Sequence, residues 1–556
     1  MKQEVRRVRL QSLVLDPPLP GAGALCAGKD PGGAARYDTY FNVFACEKWT
    51  RYTTCANFRL RLFVSGTGVA RLMARKGALA QAAFDLPAGG EVVLPFLPGS
   101  AGAVWPEIAG GARLLGGAYE ADADARDVRI AVNVCTYRRE EYVRRNIAAL
   151  RGSILENPDS PLGTRLCVFV SDNAGTLGTQ PGARVFQNPN AGGAGGFTRG
   201  LIEIENAGGF THVVFMDDDV RMLPESFERL YALLAAMRPE YAGHQVAGAM
   251  LRLDRPCAQH EAGGRWRGLL SESLATGLDL SAFADVERDM EPREADYAAW
   301  WFACVPMAEI RRVGLPLPLF VRMDDIEYGL RLGKGILTLP GVCVWHEAFE
   351  RKHSSKTEYY HARNALIVDA LRTPEFGGIR LIRRLFFSTL MRFRYTHARM
   401  LLKGIEDYLR GPDFLMKADP AATNDSLEAV ALSPVSPADA ADAARSALAR
   451  DTRLTKAISL LTFGGALVPG RRTARVYAHI NPLRAHLGKR GAVNVVADTG
   501  LGFYAKRDNR AALGLLLRYA KLERRFRRER AAVEARWRAA AEAMASRAFW
   551  ADYLHL

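Results

Sequence analysis

Three aspartates stand side by side at Asp217, Asp218 and Asp219, directly after the apolar run 213–216. Such a run reads as a buried strand, and adjacent carboxylates emerging at its end repel one another unless a cation offsets them. Successive side chains of an extended chain alternate, so Asp217 and Asp219 aim to one side and Asp218 to the other. A hard divalent ion, Mg2+ or Mn2+, takes oxygen ligands from a few carboxylates and from substrate phosphates. The same residues would also serve as a solvated acidic turn or as the stabilising acids of a helix N-terminus.

Further chemistry-bearing groups follow. In FVRMDDIEYGLRL (320–332), Asp324 and Asp325 end a short apolar run at the first turn of an expected helix. A carboxylate there can act as general base for an acceptor hydroxyl, or simply cap the helix. His346 closes the apolar run of LPGVCVWHEAF (339–349), and imidazole is a common ligand of Mn2+ as well as a frequent structural residue. Trp300 and Trp301 offer flat faces that suit either sugar stacking or a core, and only one of them need face a ligand. In NPNAGGAGGFTRG (188–200) the glycines would let the backbone approach a ligand and feed a helix whose first amides accept anions. The spacing is neither that of a P-loop nor that of a dinucleotide fingerprint.

These groups need a frame. The runs 128–137, 164–173, 183–190 and 212–219 read as strands, with helices beginning near Arg139 and spanning about 196–206. That alternation indicates an open, mostly parallel α/β sheet, which binds ligands beyond the carboxyl ends of its strands. Those ends carry Thr136, Asp172, Asn190 and the aspartate run. Residues 1 to about 120 are rich in aromatic and β-branched residues, punctuated by Gly-Thr-Gly at 66–68 and Ala-Gly-Gly at 88–90, and read as a β-sandwich or barrel. From about 360 onward the chain reads as helical, ending in a long basic amphipathic helix. The 556 residues exceed one compact core.

Composition excludes several classes. The eight cysteines include no Cys-x-x-Cys pair, which argues against a zinc ribbon and for a reducing compartment. No secretory signal opens the sequence, and the longest apolar run, 460–468, is far short of a bilayer span. The net charge of +15 owes much to Arg518, Lys521, Arg524, Arg525, Arg527, Arg528 and Arg530. A solvated helix face, an anionic membrane or phosphorylated substrates account for it better than nucleic acid, because no base-stacking or groove-reading motif accompanies the arginines.

Taken together and in order, CTYRR, SDNAGT, NPNAGGAGGFTRG, FMDDD, WWFACVP, FVRMDDIEYG, PGVCVWHE and YYHARN resemble the family 2 glycosyltransferases of the GT-A fold. The likeness is strongest to the mycobacterial galactofuranosyltransferases of cell-wall galactan synthesis. It implies an α/β GT-A (Rossmann-like) catalytic domain at 123–370, an N-terminal β-sandwich at 1–122 and a helical C-terminal region at 371–556. It implies that Thr136, Arg138 and Asp172 hold the uridine of a UDP-sugar, with Asn190, Gly192 and Gly193 of the glycine loop on the donor side. Asp217, Asp219 and His346 would hold Mn2+ or Mg2+, and Asp218 would lie near the donor sugar. Asp325 would be the base with Asp324 close by, Arg322 and His361 would neutralise the diphosphate, and Trp300 and Trp301 would line the acceptor site.

Arg322 stands where a lysine is expected, SDNAGT departs from an Asp-Gln-Gly form, and His353 has no counterpart. The implied reaction is an inverting transfer, with galactofuranose as the sugar, to a hydroxyl of a glycan or lipid-linked glycan. The implied setting is a homotetramer at the cytoplasmic face of the membrane. A UDP-hexopyranose transferase of the same fold and a non-catalytic glycan-binding protein are the alternatives.

Overall fold

The computed structural model describes residues 5–29, 35–99, 101–268, 271–373, 379–448, 450–462 and 469–556. Most of the apolar run at 460–468 lies outside them.

The N-terminal module is built on the strand Ala56–Ala74, whose burial alternates with period two: Phe58, Leu60, Leu62 and Val64 point inward, then Ala70, Leu72 and Ala74. One edge of this strand pairs with Gly77–Pro95 throughout. The other pairs first with Arg113–Asp124 and then with Ala103–Gly110. Val5–Ser12 and Phe44–Ala45 complete six strands of one hydrogen-bonded sheet. Gly-Thr-Gly and Ala-Gly-Gly were expected to end short strands, yet both lie inside long ones. Gly66 takes φ +90° at a bulge where the pairing changes partner, and a Cβ on Gly68 would strike the Ala109 carbonyl.

This module is riveted to the central domain through the helix Pro224–Ala236. Arg229 of that helix is fully buried and donates to the carbonyls of Ser12, Phe41 and Pro340, while Glu225 accepts from the Ser12 amide. A buried guanidinium is tolerated only when its donors are satisfied, so these contacts fix both modules together.

The central domain carries the expected open sheet. Ala183–Gln187, Leu166–Asp172, Ile130–Thr136 and His212–Asp217 run parallel in that spatial order, continued by Ala303–Pro306, Gln245–Ala247 and Ile336–Leu337. Asp172 is level with Thr136, and Asp217 with Cys135, so the strand ends form one edge. A second sheet joins Arg221–Met222, Cys343–His346, Ala249–Arg252 and Gln259–Glu261.

The helix Gly192–Ala207 begins four residues earlier than expected, and its glycines serve packing more than ligand approach. A Cβ on Gly196 would run into the Cys135 side chain, and one on Gly200 into Asn133, whose amide donates to the Phe197 carbonyl at 2.8 Å. Small residues on this face let the helix lie against the strand Ile130–Thr136.

The C-terminal region differs from the all-helical expectation. Alongside Lys356–Arg372, Ile379–Met391, Tyr395–Arg410 and the 36-residue Asn509–Met544 stands a four-stranded sheet of Ser433–Pro434, Leu501–Lys506, Lys489–Val495 and Arg472–Tyr477. The long helix buries Leu515, Tyr519, Leu522, Phe526, Val533, Trp537 and Met544, a heptad-like stripe. Many of its arginines pair with acids: Arg518 with Glu406, Arg525 with Glu529, Arg527 with Glu523 and Arg530 with Glu534. Among the described residues, no helix is long and apolar enough to cross a membrane.

Gly200→Ala tests the close helix–strand approach. It should destabilise the protein by about 1–3 kcal/mol through overpacking, read as a lowered midpoint in thermal or urea unfolding.

Candidate active site

The strand His212–Asp217 ends at the first aspartate, and the turn that follows divides the three as expected. Asp219 Oδ1 lies 3.1 Å from His346 Nε2, and Asp217 Oδ2 lies 3.9 Å from the same nitrogen. Asp218 turns the other way and accepts from the Thr136 hydroxyl at 2.8 Å and from Arg139 at 2.9 Å.

His346 reaches this spot because Arg221 and Met222, just past the aspartates, pair antiparallel with Trp345 and Val344. Its Nδ1 is 2.7 Å from the Glu347 carbonyl. An imidazole donating there presents the Nε2 lone pair to the carboxylates, as a metal-binding histidine does. One ligand atom each from Asp217, Asp219 and His346 fall within 4.8 Å of one another, so two carboxylates and a fixed imidazole fit Mn2+ or Mg2+.

The electrostatics are lopsided. Burial disfavours ionised Asp219, but His346, Lys352 and Arg139 together outweigh it and hold the carboxyl well below its usual range. Lys352 Nζ is 2.7 Å from Asp219 Oδ2, and Arg139 bridges Asp218 and Asp219 at 2.9 Å each. Asp217 and Asp218 are both pushed up, first by desolvation and then by the like charges beside them.

Near the aspartate run, Asp324 and Asp325 open the helix Asp324–Leu332, behind Arg322 and Met323, both in the left-handed region. Desolvation raises both carboxyls; Asp324 is raised further by Asp325 and by Asp217. Asp325 Oδ1 accepts from the Ile326 amide at 2.8 Å. Asn364 of YYHARN donates to the carbonyls of Leu319, Val321 and Arg322, which locks the turn that presents the pair.

Several expected residues have other partners. Thr136 spends its hydroxyl proton on Asp218. Asp172 is buried and accepts from the amides of Ala174 and Leu177, so it shapes the loop after its strand. Arg138 is exposed, with its guanidinium over the ring of Tyr137, whereas the neighbouring Arg139 reaches the aspartates. Asn190 accepts from the Gly192 amide at the helix start. Gly192, at φ +70°, makes room for the Phe320 carbonyl, while Gly193 borders Asp324.

Trp300 is packed with Phe197, Phe215 and Tyr328. Trp301 lies in an aromatic group with His260 and Phe349, and Phe349 also meets the His346 ring. Arg322 is exposed and lies over Phe349. The Nε2 of His361 is buried and has no hydrogen-bond partner among the described residues, and burial with the nearby Arg322 lowers that imidazole to about 4.

Four residues were missed: Arg139, Lys352, His260 and Glu261. Burial pushes Glu261 up to about 8; Ser273 donates to it, and Asp325 adds to the rise. The signal for Arg139 was the Arg-Arg pair after the strand, where alternation makes one arginine face the aspartates. The other three come from segments whose proximity only the second sheet and the C-terminal module create.

The fold and site thus define a mostly parallel α/β protein with a carboxylate–imidazole site suited to a divalent cation and a facing carboxylate pair. No family model matches the chain. It is similar to the galactofuranosyltransferase GlfT2 of Mycobacterium tuberculosis (strain ATCC 25618 / H37Rv), 29% identical over 434 residues, 68% of this chain and 66% of that protein. It is likewise similar to GlfT2 of Mycolicibacterium smegmatis (strain ATCC 700084 / mc(2)155), 29% identical over 439 residues, 71% and 67% of the two chains. The matches span about two thirds of the length of these curated relatives. The mannosyltransferase PcManGT from Pyrobaculum calidifontis, solved with GDP-Man and Mn2+, aligns with 54% of this chain and 78% of its own at 15% identity. The TM-score of that alignment is 0.29.

Because Asp217 is raised, a cation must displace its proton in mildly acidic solution. Mn2+ affinity should therefore rise with pH, by up to about tenfold per unit while Asp217 titrates, and level off once it is ionised. Calorimetric titration between pH 5 and 8 reads this, and Asp219→Ala should abolish the binding.

Proposed function

We propose that the protein is an inverting, metal-dependent glycosyltransferase of the GT-A fold. In this reading it moves a sugar, galactofuranose by resemblance, from a UDP-sugar to a hydroxyl of a glycan or lipid-linked glycan. The observation that carries the reading is two acidic groups close enough to interact: Asp217 and Asp219 with His346, and the pair Asp324 and Asp325. Resemblance to the mycobacterial enzymes supplies the sugar and the acceptor class.

The chemistry follows from that proximity. A bound divalent cation would offset the negative charge that develops on the departing nucleoside diphosphate. Asp217, Asp219 and the His346 lone pair would hold it, and Asp218, oriented by Thr136 and Arg139, would face the donor sugar. In the second acidic pair Asp325 takes the acceptor hydroxyl proton as the new carbon–oxygen bond forms and the bond to phosphate breaks. A desolvated carboxylate with a raised pKa is a stronger base than a solvated one, which suits Asp325 to that role. Arg322 and the Nε2 of His361 would face the diphosphate, and Trp301 would give the acceptor sugar an apolar surface.

The proposal includes a homo-oligomer at the cytoplasmic face of the membrane. Leu513 and Leu517 are each 58% exposed beside Arg518 and Lys521 on the long helix, which supports contact with an anionic surface or a neighbouring subunit.

The test is incubation with Mn2+ and a panel of UDP-sugars, UDP-galactofuranose among them, with UDP release as the readout. Asp325→Asn should lower kcat by about 10²–10⁴ while UDP binding stays near wild type. Near-normal turnover in that variant would sink the base assignment.

A further inference from the structure

The segment 347–355 crosses the metal-suited triad and is held from outside the catalytic domain. It leaves the strand Cys343–His346, makes the short turn Phe349–Arg351 and enters the helix Lys356–Arg372. Within it, Lys352 brings its ammonium to 2.7 Å from Asp219 Oδ2 and 3.3 Å from His346 Nε2, with about a third of its side chain open to solvent.

The residues on either side are tied to the C-terminal module. Arg351 donates to the Asp498 carbonyl at 3.3 Å. The Ser355 hydroxyl donates to the Glu428 carbonyl and accepts from the Val430 amide. The Nε2 atoms of His353 and His397 are 3.1 Å apart, and the His353 ring stacks on Phe503 at 4.9 Å. Arg394 lies over the other partner of that stack, Phe503, and donates to Asn494 of the next strand. Burial, together with the Arg394 cation, keeps both imidazoles neutral, so their contact is a hydrogen bond and not a repulsion.

A divalent cation on Asp217, Asp219 and His346 and an ammonium beside the same atoms repel each other unless an anion lies between them. The anion that satisfies both is a diphosphate. We propose that Lys352 is a diphosphate-binding residue, delivered to the donor by a strap that the C-terminal sheet module clamps through His353, His397 and Phe503. This rests on the transferase reading above. When the anomeric carbon–oxygen bond breaks, its electron pair goes to the diphosphate oxygen. The Lys352 side chain donates a hydrogen bond to that charge, while Asp325 takes the acceptor's proton. His353 acts through Lys352 and is a positioning residue.

The experiment is calorimetric binding of UDP in the presence of Mn2+, of Mn2+ alone, and steady-state kinetics, each on the full chain with the melting temperature checked. Lys352→Met should weaken UDP binding about tenfold, as loss of a charge-assisted hydrogen bond does, and leave Mn2+ binding alone undiminished. Lys352→Arg should recover UDP affinity to within about threefold. His353→Phe, which keeps the stack on Phe503 but loses the bond to His397, should weaken UDP binding in the same direction without weakening Mn2+ alone. Lys352→Gln serves if the methionine variant does not fold.

UDP binding unchanged or tighter in the Lys352 variants would make the lysine a competitor of the cation and overturn the inference. Unchanged UDP binding in His353→Phe would overturn the clamp. A wild-type protein that binds Mn2+ but no UDP would overturn the transferase reading, and the inference with it.

Discussion

Adjacent carboxylates in a desolvated cleft are the constraint around which this protein is arranged. Asp217, Asp218 and Asp219 end one buried strand, and none can shed its charge into bulk water at little cost. Each compensating group arrives from a different part of the chain: Thr136 and Arg139 from the neighbouring strand end, His346 from the second sheet, Lys352 from the segment beyond it. The two-residue pairing of 221–222 with 344–345 looks minor in the topology, yet it determines that an imidazole stands there. Groups assembled over so many segments tolerate local change poorly, because a shift in any one leaves a carboxylate uncompensated.

Asp324 and Asp325 are positioned by a different device. The Asn364 side-chain amide and the guanidinium of Arg363 hold the carbonyls of the 319–322 turn from the far helix, so the acidic pair is set by hydrogen bonds to backbone. The strained conformations of Phe320, Arg322 and Met323 persist inside that frame. Gly192 completes it, since any side chain there would displace the Phe320 carbonyl.

What the sequence made legible was local. The parallel strands were readable because each is a mostly apolar run bounded by polar turns, and the division of Asp217 and Asp219 from Asp218 matched the expected alternation although the last two stand in the turn after the strand. The C-terminal sheet was not, because its strands are short and edged with charge: in Arg472–Tyr477 only Ala474 and Val476 are buried, an apolar signal too thin to oppose the helical pattern around it. The glycine-rich stretch misled for a related reason. Glycine at 196 and 200 reports a close approach, but sequence does not say whether a ligand or a strand makes it. Trp300 and Trp301 were interchangeable on paper; the structure gives them different neighbours, Phe215 for the first and Phe349 for the second. Lys352 and Glu261 carry no local signal at all, since each is brought to the site by contacts made far along the chain.

One of those distant contacts bears on how the protein is made. Trp550 donates to the Pro316 carbonyl at 2.8 Å and belongs, with Leu554, to the same core as Ala131, Phe197 and Trp300. The helix Gly192–Ala207, which lies along the strand leading to the site, therefore leans on residues about 350 positions later in the sequence. During synthesis the ribosome delivers the aspartates long before it delivers that support, so the nascent catalytic sheet must wait with one apolar face open. Pairings of such long reach slow folding, and this face is where a chaperone would find its hold on the unfinished chain.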